Sequence, residues 1–353
     1  MTEETVIHGL HDHHVHLRAM AAARSSIDVS LGLDRLRSAP GDGWLRAVGY
    51  AGDELDRWQL DAVVGHRPVR VQHRTGALWI LNSAGARAVG LPDDHDGRLF
   101  RMDDWLRDRV PPIEHDLVRI GTDALALCIT AFTDTTPDRT IEEADELRAA
   151  VPQQLHLMMP LGVATHEPVK VLLDDVTLPS VDDLAATITA AHGDGRAVAV
   201  HCVTRVQLVI ALAAGLGPGD RVEHGAVIPE ELIDELARRE LTVVTQPNFV
   251  VERGDRYRRE VDPDDLPHLY RAASLVRAGV HVLGGTDAPY GRPDPWAAMR
   301  AAVSRDLNPE ERLTPQQALA LFATGPGRVV LGVPVDVALR ELDPANIAAT
   351  VLG

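Results

Sequence analysis

Eight short runs rich in Val, Ile and Leu recur along this chain, separated by stretches whose apolar residues repeat at helical spacing. That alternation constrains the fold more than any other feature, because parallel strands need long crossovers and a helix is the usual way to make one. The strands are read at 6–16, 127–134, 155–159, 169–173, 197–202, 221–224, 242–246 and 280–284. Between them lie helix signals. Ser180 caps the amphipathic stretch VDDLAATITAAHGDG, and PEELIDELARREL opens with acidic residues that suit a helix N-terminus. Thr314-Pro315-Gln316-Gln317 supplies a cap, a proline at the first helical position and a capping-box glutamine. Two regions exceed a minimal alternation. The interval 17–126 is far longer than one loop and one helix, so an inserted lid or subdomain is expected there, with 127–331 completing the barrel begun by 1–16. The tail 332–353 reads as a short strand pair.

Charge narrows the function. The 353 residues carry 52 acidic against 35 basic side chains, a net charge of −17 that repels phosphate backbones and anionic lipid. A small-molecule substrate is therefore expected, with no nucleic acid and no membrane as partner. No run approaches the roughly 18 apolar residues of a membrane span. With only Cys128 and Cys202, and no basic-then-apolar start, a cytoplasmic location is expected. The basic residues comprise thirty-four arginines and one lysine, Lys170. Where charge alone was needed arginine has served, so the surviving lysine invites a role that arginine cannot fill.

The residues that carry chemistry fall at the C-terminal ends of the strands, where barrel sites are built. In LHDHHVHL, His14 and His16 are two apart and share one face of a strand. Such a pair offers two imidazole ligands at rigid spacing, although a histidine-rich surface tract would read the same way. Lys170 lies in VKVLL, His201 ends AVAVH, His224 ends RVEH, and Asp287 follows the eighth strand in VLGGTDAPYG. A lone histidine at a strand end is usually structural; several in chain order point to one metal centre.

These motifs, in this order, resemble the amidohydrolase superfamily, and within it the YtcJ-like or type 3 branch. The resemblance runs from LHDHHVHL through GALWILNSAGARAVGL, ITAFTD, VKVLLDD, VAVHCV, RVEHGAVIPEEL, TVVTQPNF and LGGTDAPYG to ERLTPQQALALFATGPGRVVLG. It implies an α/β fold, a distorted (β/α)8 TIM barrel. It further implies that His14, His16, His201, His224 and Asp287 ligate one or two divalent metal ions, with zinc the first expectation. Lys170 would be carboxylated by carbon dioxide to a carbamate bridging the metals, and Asp287 would act as the base. The implied reaction is cleavage of a C–N bond in a small amide, an N-formyl or N-acyl amine or a cyclic amide, by a metal-activated hydroxide.

Departures from the family pattern concern the substrate and the ends. Only eleven residues precede Asp12, so the family's β-sandwich domain is expected to be largely missing, and a homodimer contact is one use for the exposed edge. His201-Cys202-Val203-Thr204-Arg205 stands where relatives have His-Ala-x-Gly-Asp, Gly76-Ala77 replaces Gly-His, and Asp174-Asp175 replaces Asp-Gly. Candidate substrate contacts are Trp79, Asn82, Arg205 and Arg256, the last in an arginine-rich segment that interleaved acids would equally make an ordinary charged surface. Fold does not fix chemistry. An isomerase, decarboxylase or esterase on the same barrel, or a catalytically silent metal-binding scaffold, remain alternatives at this level.

Overall fold

In the computed structural model, which describes residues 5–112 and 116–351, the chain divides into two compact units. The larger combines Met1–Leu17 with Leu117–Gly353; the smaller is Arg18–Asp116. Ten strands order the larger unit: β1 (Thr5–Val15), β2 (Ile129–Asp134), β3 (Gln154–Leu157), β4 (Val169–Leu172), β5 (Val198–Cys202), β6 (Arg221–His224), β7 (Thr242–Thr245), β8 (His281–Gly284), β9 (Gly325–Leu331) and β10 (Ile347–Val351). The first eight agree with the sequence expectation to within a few residues at each end.

Strands β1, β2 and β3 pair in parallel, as do β4 through β8. Parallel bridges at Met159–Val169 and Val15–Ala288 join the two sets at both edges, so the eight strands succeed one another around a TIM-barrel-like sheet. Burial on both faces explains why β2, ITAFTD, is almost uniformly apolar or small and fully buried. Apolar side chains of the strands, including Val169, Val198, Val200, Val222 and Val243, pack with Trp296, Met299 and Phe322 into one core. The expected caps are present: Ser180 on Val181–Gly193, and the Thr314 and Gln317 capping box on Pro315–Ala320.

The two boundary regions differ from the sequence reading. The insert returns to the larger unit at Leu117 rather than after 126, because Leu117–Ala126 is an amphipathic helix that buries Leu117, Ile120 and Ala124 there. Gln153 Nε2 donates to its Gly121 carbonyl at 2.7 Å. The tail contains a helix, Val335–Glu341, before its strand. Its strand pair straddles the expected boundary, since β10 runs antiparallel to β9 and β9 to the first half of β1. The helical pattern ahead of it masks β9 in the sequence.

The smaller unit is a five-stranded sheet ordered 27–28, 45–50, 69–73, 78–81, 98–100. Leu45, Ala47, Val69, Val71 and Ile80 build one of its cores with Leu60 of the helix Arg57–Val63. No helix among the described residues is long and apolar enough to cross a membrane.

Candidate metal centre

The C-terminal end of β1 delivers His14 and His16 to one face, and the residues after β8 bring Asp287 against them. His14 Nε2 lies 3.5 Å and His16 Nε2 3.2 Å from Asp287 Oδ1. The ligand atoms of these three lie within 4.8 Å of one another. The approach depends on Gly285: a Cβ there would sit 2.4 Å from the Cβ of His14. The backbone is pinned by Asp287 N–H donating to His14 O at 2.8 Å and His16 N–H to Ala288 O at 2.9 Å. Asp12, two residues before His14, ties the same segments together, accepting from Thr286 N at 2.9 Å and Thr286 Oγ1 at 2.6 Å.

Which ring nitrogen can bind a metal is set by what the other one does. His14 Nδ1 meets Glu223 Oε2 at 2.5 Å, His224 Nδ1 meets Gln246 Oε1 at 2.8 Å, and His16 Nδ1 meets Thr136 Oγ1 at 3.2 Å. A carboxylate and an amide oxygen can only accept, so Nδ1 carries the proton in His14 and His224, and the Nε2 lone pair is left free. Glu223 is itself fixed, taking Arg221 Nε on Oε1 at 2.8 Å. Burial would raise its carboxyl, but Arg221 and His14 outweigh that and hold it well below the usual range. Burial pushes His14 and His201 down and His224 down to about 3, so these rings are neutral at pH 7, each with one nitrogen free of a proton.

His201 ends β5 beside β6, its ring 4.5 Å from that of His224, which lies 4.6 Å from His14. His224 and Asp287 both adopt positive φ, 69° and 55°, a left-handed conformation that non-glycine residues hold only where surroundings enforce it. Lys170 projects from β4, paired with Ala199 of β5. Its Nζ is buried with no hydrogen-bond partner. Burial drives this amine below its ordinary value, against the pull of Glu223 and Asp287. Among the expected site residues, His14, His201, His224, Lys170 and Asp287 thus form one electrostatic neighbourhood, which His16 joins through Asp287.

The expected substrate contacts fare differently. Asn82 is fully buried in the smaller unit, and its side chain is consumed by backbone: Oδ1 accepts from Val69 N and Gly85 N, and Nδ2 donates to Val64 O and Arg67 O. It caps the helix Ser83–Ala88 and has no donor or acceptor left for a ligand. Trp79 is 5% exposed, gives its N–H to Asp103 Oδ1 at 2.8 Å and packs with Leu81, Leu99 and Leu106. Arg205 is engaged by Asp265 through Nε and Nη2, and Arg256 by Glu260, so both guanidiniums are committed to carboxylates as an ordinary charged surface would have them. Residues the sequence reading missed are Glu223, Gln246 and Thr136, which orient ligands rather than supply them. Glu223 had one available signal, its place beside His224 at a strand end.

Glu223→Gln is expected to lower metal affinity by roughly 10- to 100-fold, since an amide can present its NH2 to Nδ1 and release the tautomer. Competition against a chromophoric chelator measures this, and unchanged affinity would restrict Glu223 to pairing with Arg221.

Comparisons with known proteins bear on the family and the fold. The profile of the amidohydrolase family matches residues 158–331. YtcJ of Bacillus subtilis (strain 168), named as an amidohydrolase, is 23% identical over 445 residues, covering 96% of this chain and 84% of its own. Among solved structures, an uncharacterized metal-dependent hydrolase of Pyrococcus horikoshii superposes with a TM-score of 0.73 at 17% identity, over 98% of this chain and 83% of the other. The atrazine chlorohydrolase TrzN of Arthrobacter aurescens, solved as a mutant with zinc and atraton, gives 0.55 at 14%, over 99% and 80%. Residues 158–331 thus match the amidohydrolase family, and the findings together support the type 3 branch of that superfamily for this chain.

Proposed function

We propose that the protein is a metal-dependent hydrolase that cleaves the C–N bond of a small amide, an N-formyl or N-acyl amine or a cyclic amide. The observation that carries this is the convergence of the His14 and His16 rings on Asp287, with the buried, unpartnered amine of Lys170 in the same electrostatic neighbourhood. A purely structural site has no use for that amine. A nitrogen and oxygen donor set of this kind suits zinc, and zinc is present in the related TrzN structure. When bound, a divalent ion supplies Lewis acidity to water and to a carbonyl oxygen.

The chain's own residues do the rest. His14, His16, His201 and His224 would hold the ion or ions, with Glu223 and Gln246 keeping the lone pairs of His14 and His224 aimed. Lys170, whose burial disfavours the ammonium form, would attack carbon dioxide through Nζ as the free amine, losing a proton to solvent and gaining a carboxylate able to hold a cation. Asp287 is held below the ordinary carboxyl range by the His16 contact and by His14 and His224, against its burial, so it is ionised at neutral pH and able to accept a proton. Its carboxylate would take a proton from water and return it to the leaving nitrogen.

The test is turnover by zinc-loaded protein on a panel of N-formyl, N-acetyl and cyclic amides, with matched esters and phosphoesters beside them. Chelation is expected to remove more than nine-tenths of amide turnover and added zinc to restore it. Persistent amide turnover after verified metal removal would overturn the reading, and turnover confined to esters would reassign the bond.

A further inference from the structure

The arginines after β7 are not equivalent. Arg256 and Arg258 pair with Glu260 and Asp255 inside their own helix, Gly254–Glu260. Arg253, just ahead of that helix, has no carboxylate partner among the described residues. One of its nitrogens, Nη2, donates to Tyr290 O at 2.8 Å; Nε is buried with no partner at all. The adjacent Glu252 does not pair with it and instead accepts Asn248 Nδ2 and the N–H of Arg292 on Oε1. Instead the guanidinium lies over Phe249, its carbon 3.5 Å from the ring centroid. This contact with the ring face restrains the guanidinium and leaves N–H groups at its edge for a ligand.

The location ties Arg253 to the metal centre. It follows the helix Pro247–Glu252, which begins immediately after Gln246, the residue that holds His224. Tyr290, whose carbonyl anchors Arg253, donates its own N–H to Asp287 O at 2.8 Å and sets its ring edge-on to His16 with centroids 5.4 Å apart. Tyr270, 3% exposed, lies in the field of both Arg253 and Asp287, and its hydroxyl meets Tyr257 at 3.4 Å. A guanidinium without a counter-charge is thus held one residue's contact from the proposed base. In a chain of net charge −17, with acidic groups throughout this segment, leaving such a cation unpaired calls for an anion supplied from outside.

Resting on the hydrolase reading above, we propose that Arg253 recognises a carboxylate on the substrate close to the scissile bond, so that the amides cleaved are N-acylated amino acids or similar acids rather than neutral N-acyl amines. A carboxylate matches a single planar fork in shape and in charge. A doubly charged phosphate would meet one cation and several neighbouring carboxylates.

Levulinate keeps the acyl carbonyl and carboxylate of N-acetylglycine but replaces the scissile N–H by CH2, and levulinamide is its neutral counterpart. Dissociation constants of both for the zinc-loaded protein, read by ligand-observed NMR titration, separate recognition from turnover. The wild type is expected to prefer levulinate by about 10- to 100-fold, Arg253→Met to approach parity and Arg253→Lys to fall between, with zinc content unchanged in each. No preference in the wild type, a preference that survives Arg253→Met, or tighter binding of inorganic phosphate than of levulinate would each overturn the proposal. Should levulinate depend on Arg253 while no amide is hydrolysed, the carboxylate site stands and the hydrolase reading fails.

Discussion

Lys170→Met is expected to make the metal-free protein more stable while removing its activity. The wild-type Nζ is buried and makes no hydrogen bond, and an unsatisfied buried polar group costs about 1–3 kcal/mol. Methionine has similar length and flexibility and carries no such atom, so urea unfolding of chelator-treated, bicarbonate-free protein should show a gain of that order. The same substitution removes the amine that would accept carbon dioxide. Bound zinc, measured by mass spectrometry after loading in bicarbonate, should fall by about half if two ions are bridged, and amide turnover should fall at least a thousandfold. Lys170→Arg separates charge from chemistry. A guanidinium cannot give up its proton in this setting, so the arginine variant carries a buried cation larger than the amine it replaces and is expected to lose about 3–5 kcal/mol of stability as well as turnover. Turnover near the wild-type level in Lys170→Met would show that the lone lysine is an accident of composition.

The strand ends that carry the candidate ligands could be read from sequence because each combines a buried apolar run with a residue whose burial is otherwise costly. His201 after AVAV and His224 after RVE are of that kind, and the two-residue spacing of His14 and His16 sets their common face without any knowledge of the fold. What could not be read is which residues serve them. Gln246 reaches His224 from the neighbouring strand, Glu223 reaches His14 across 209 positions of sequence, and nothing local to either residue announces the pairing. The same limit explains Asn82 and Trp79. Both are polar-capable residues in a motif, and only tertiary structure shows that Asn82 spends every hydrogen bond on backbone and Trp79 its one N–H on Asp103. It also explains Arg253, which in sequence is one of four arginines among as many acids; its difference lies in Glu252 accepting from Asn248 and Arg292 instead of pairing with it. The missed strand β9 follows from competition between levels. A strong capping box at Thr314 starts a helix whose apolar pattern runs on toward Gly325, and the antiparallel partner that claims the segment is β1, more than three hundred residues away in the chain.

Asp287→Asn is expected to lower kcat by about 10²- to 10⁴-fold with little change in fold, the range that a positioned proton carrier contributes. The substitution isolates the charge unusually well. Asp287 sits at φ 55°, where asparagine is among the few side chains that adopt the left-handed region readily, so the backbone is not forced to move. The main-chain contacts of this residue, from its N–H to His14 O and to its carbonyl from Tyr290 N and Gly291 N, do not involve the carboxyl group and are retained. Ligands that do not depend on Asp287 are also retained, because Glu223 orients His14 and Thr136 contacts His16 irrespective of charge at 287. At least one equivalent of zinc should therefore remain, measured on the same preparation as turnover. An alanine at this position would answer a different question, since it adds backbone strain of about 1–2 kcal/mol to the loss of the carboxylate. A decisive result needs the split between parameters. Loss confined to kcat, with KM and zinc content near wild type, identifies the carboxylate as the group that moves the proton; loss that tracks zinc content makes it a ligand alone; and turnover within tenfold of wild type removes Asp287 from the chemistry and leaves the imidazoles and Lys170 to account for it.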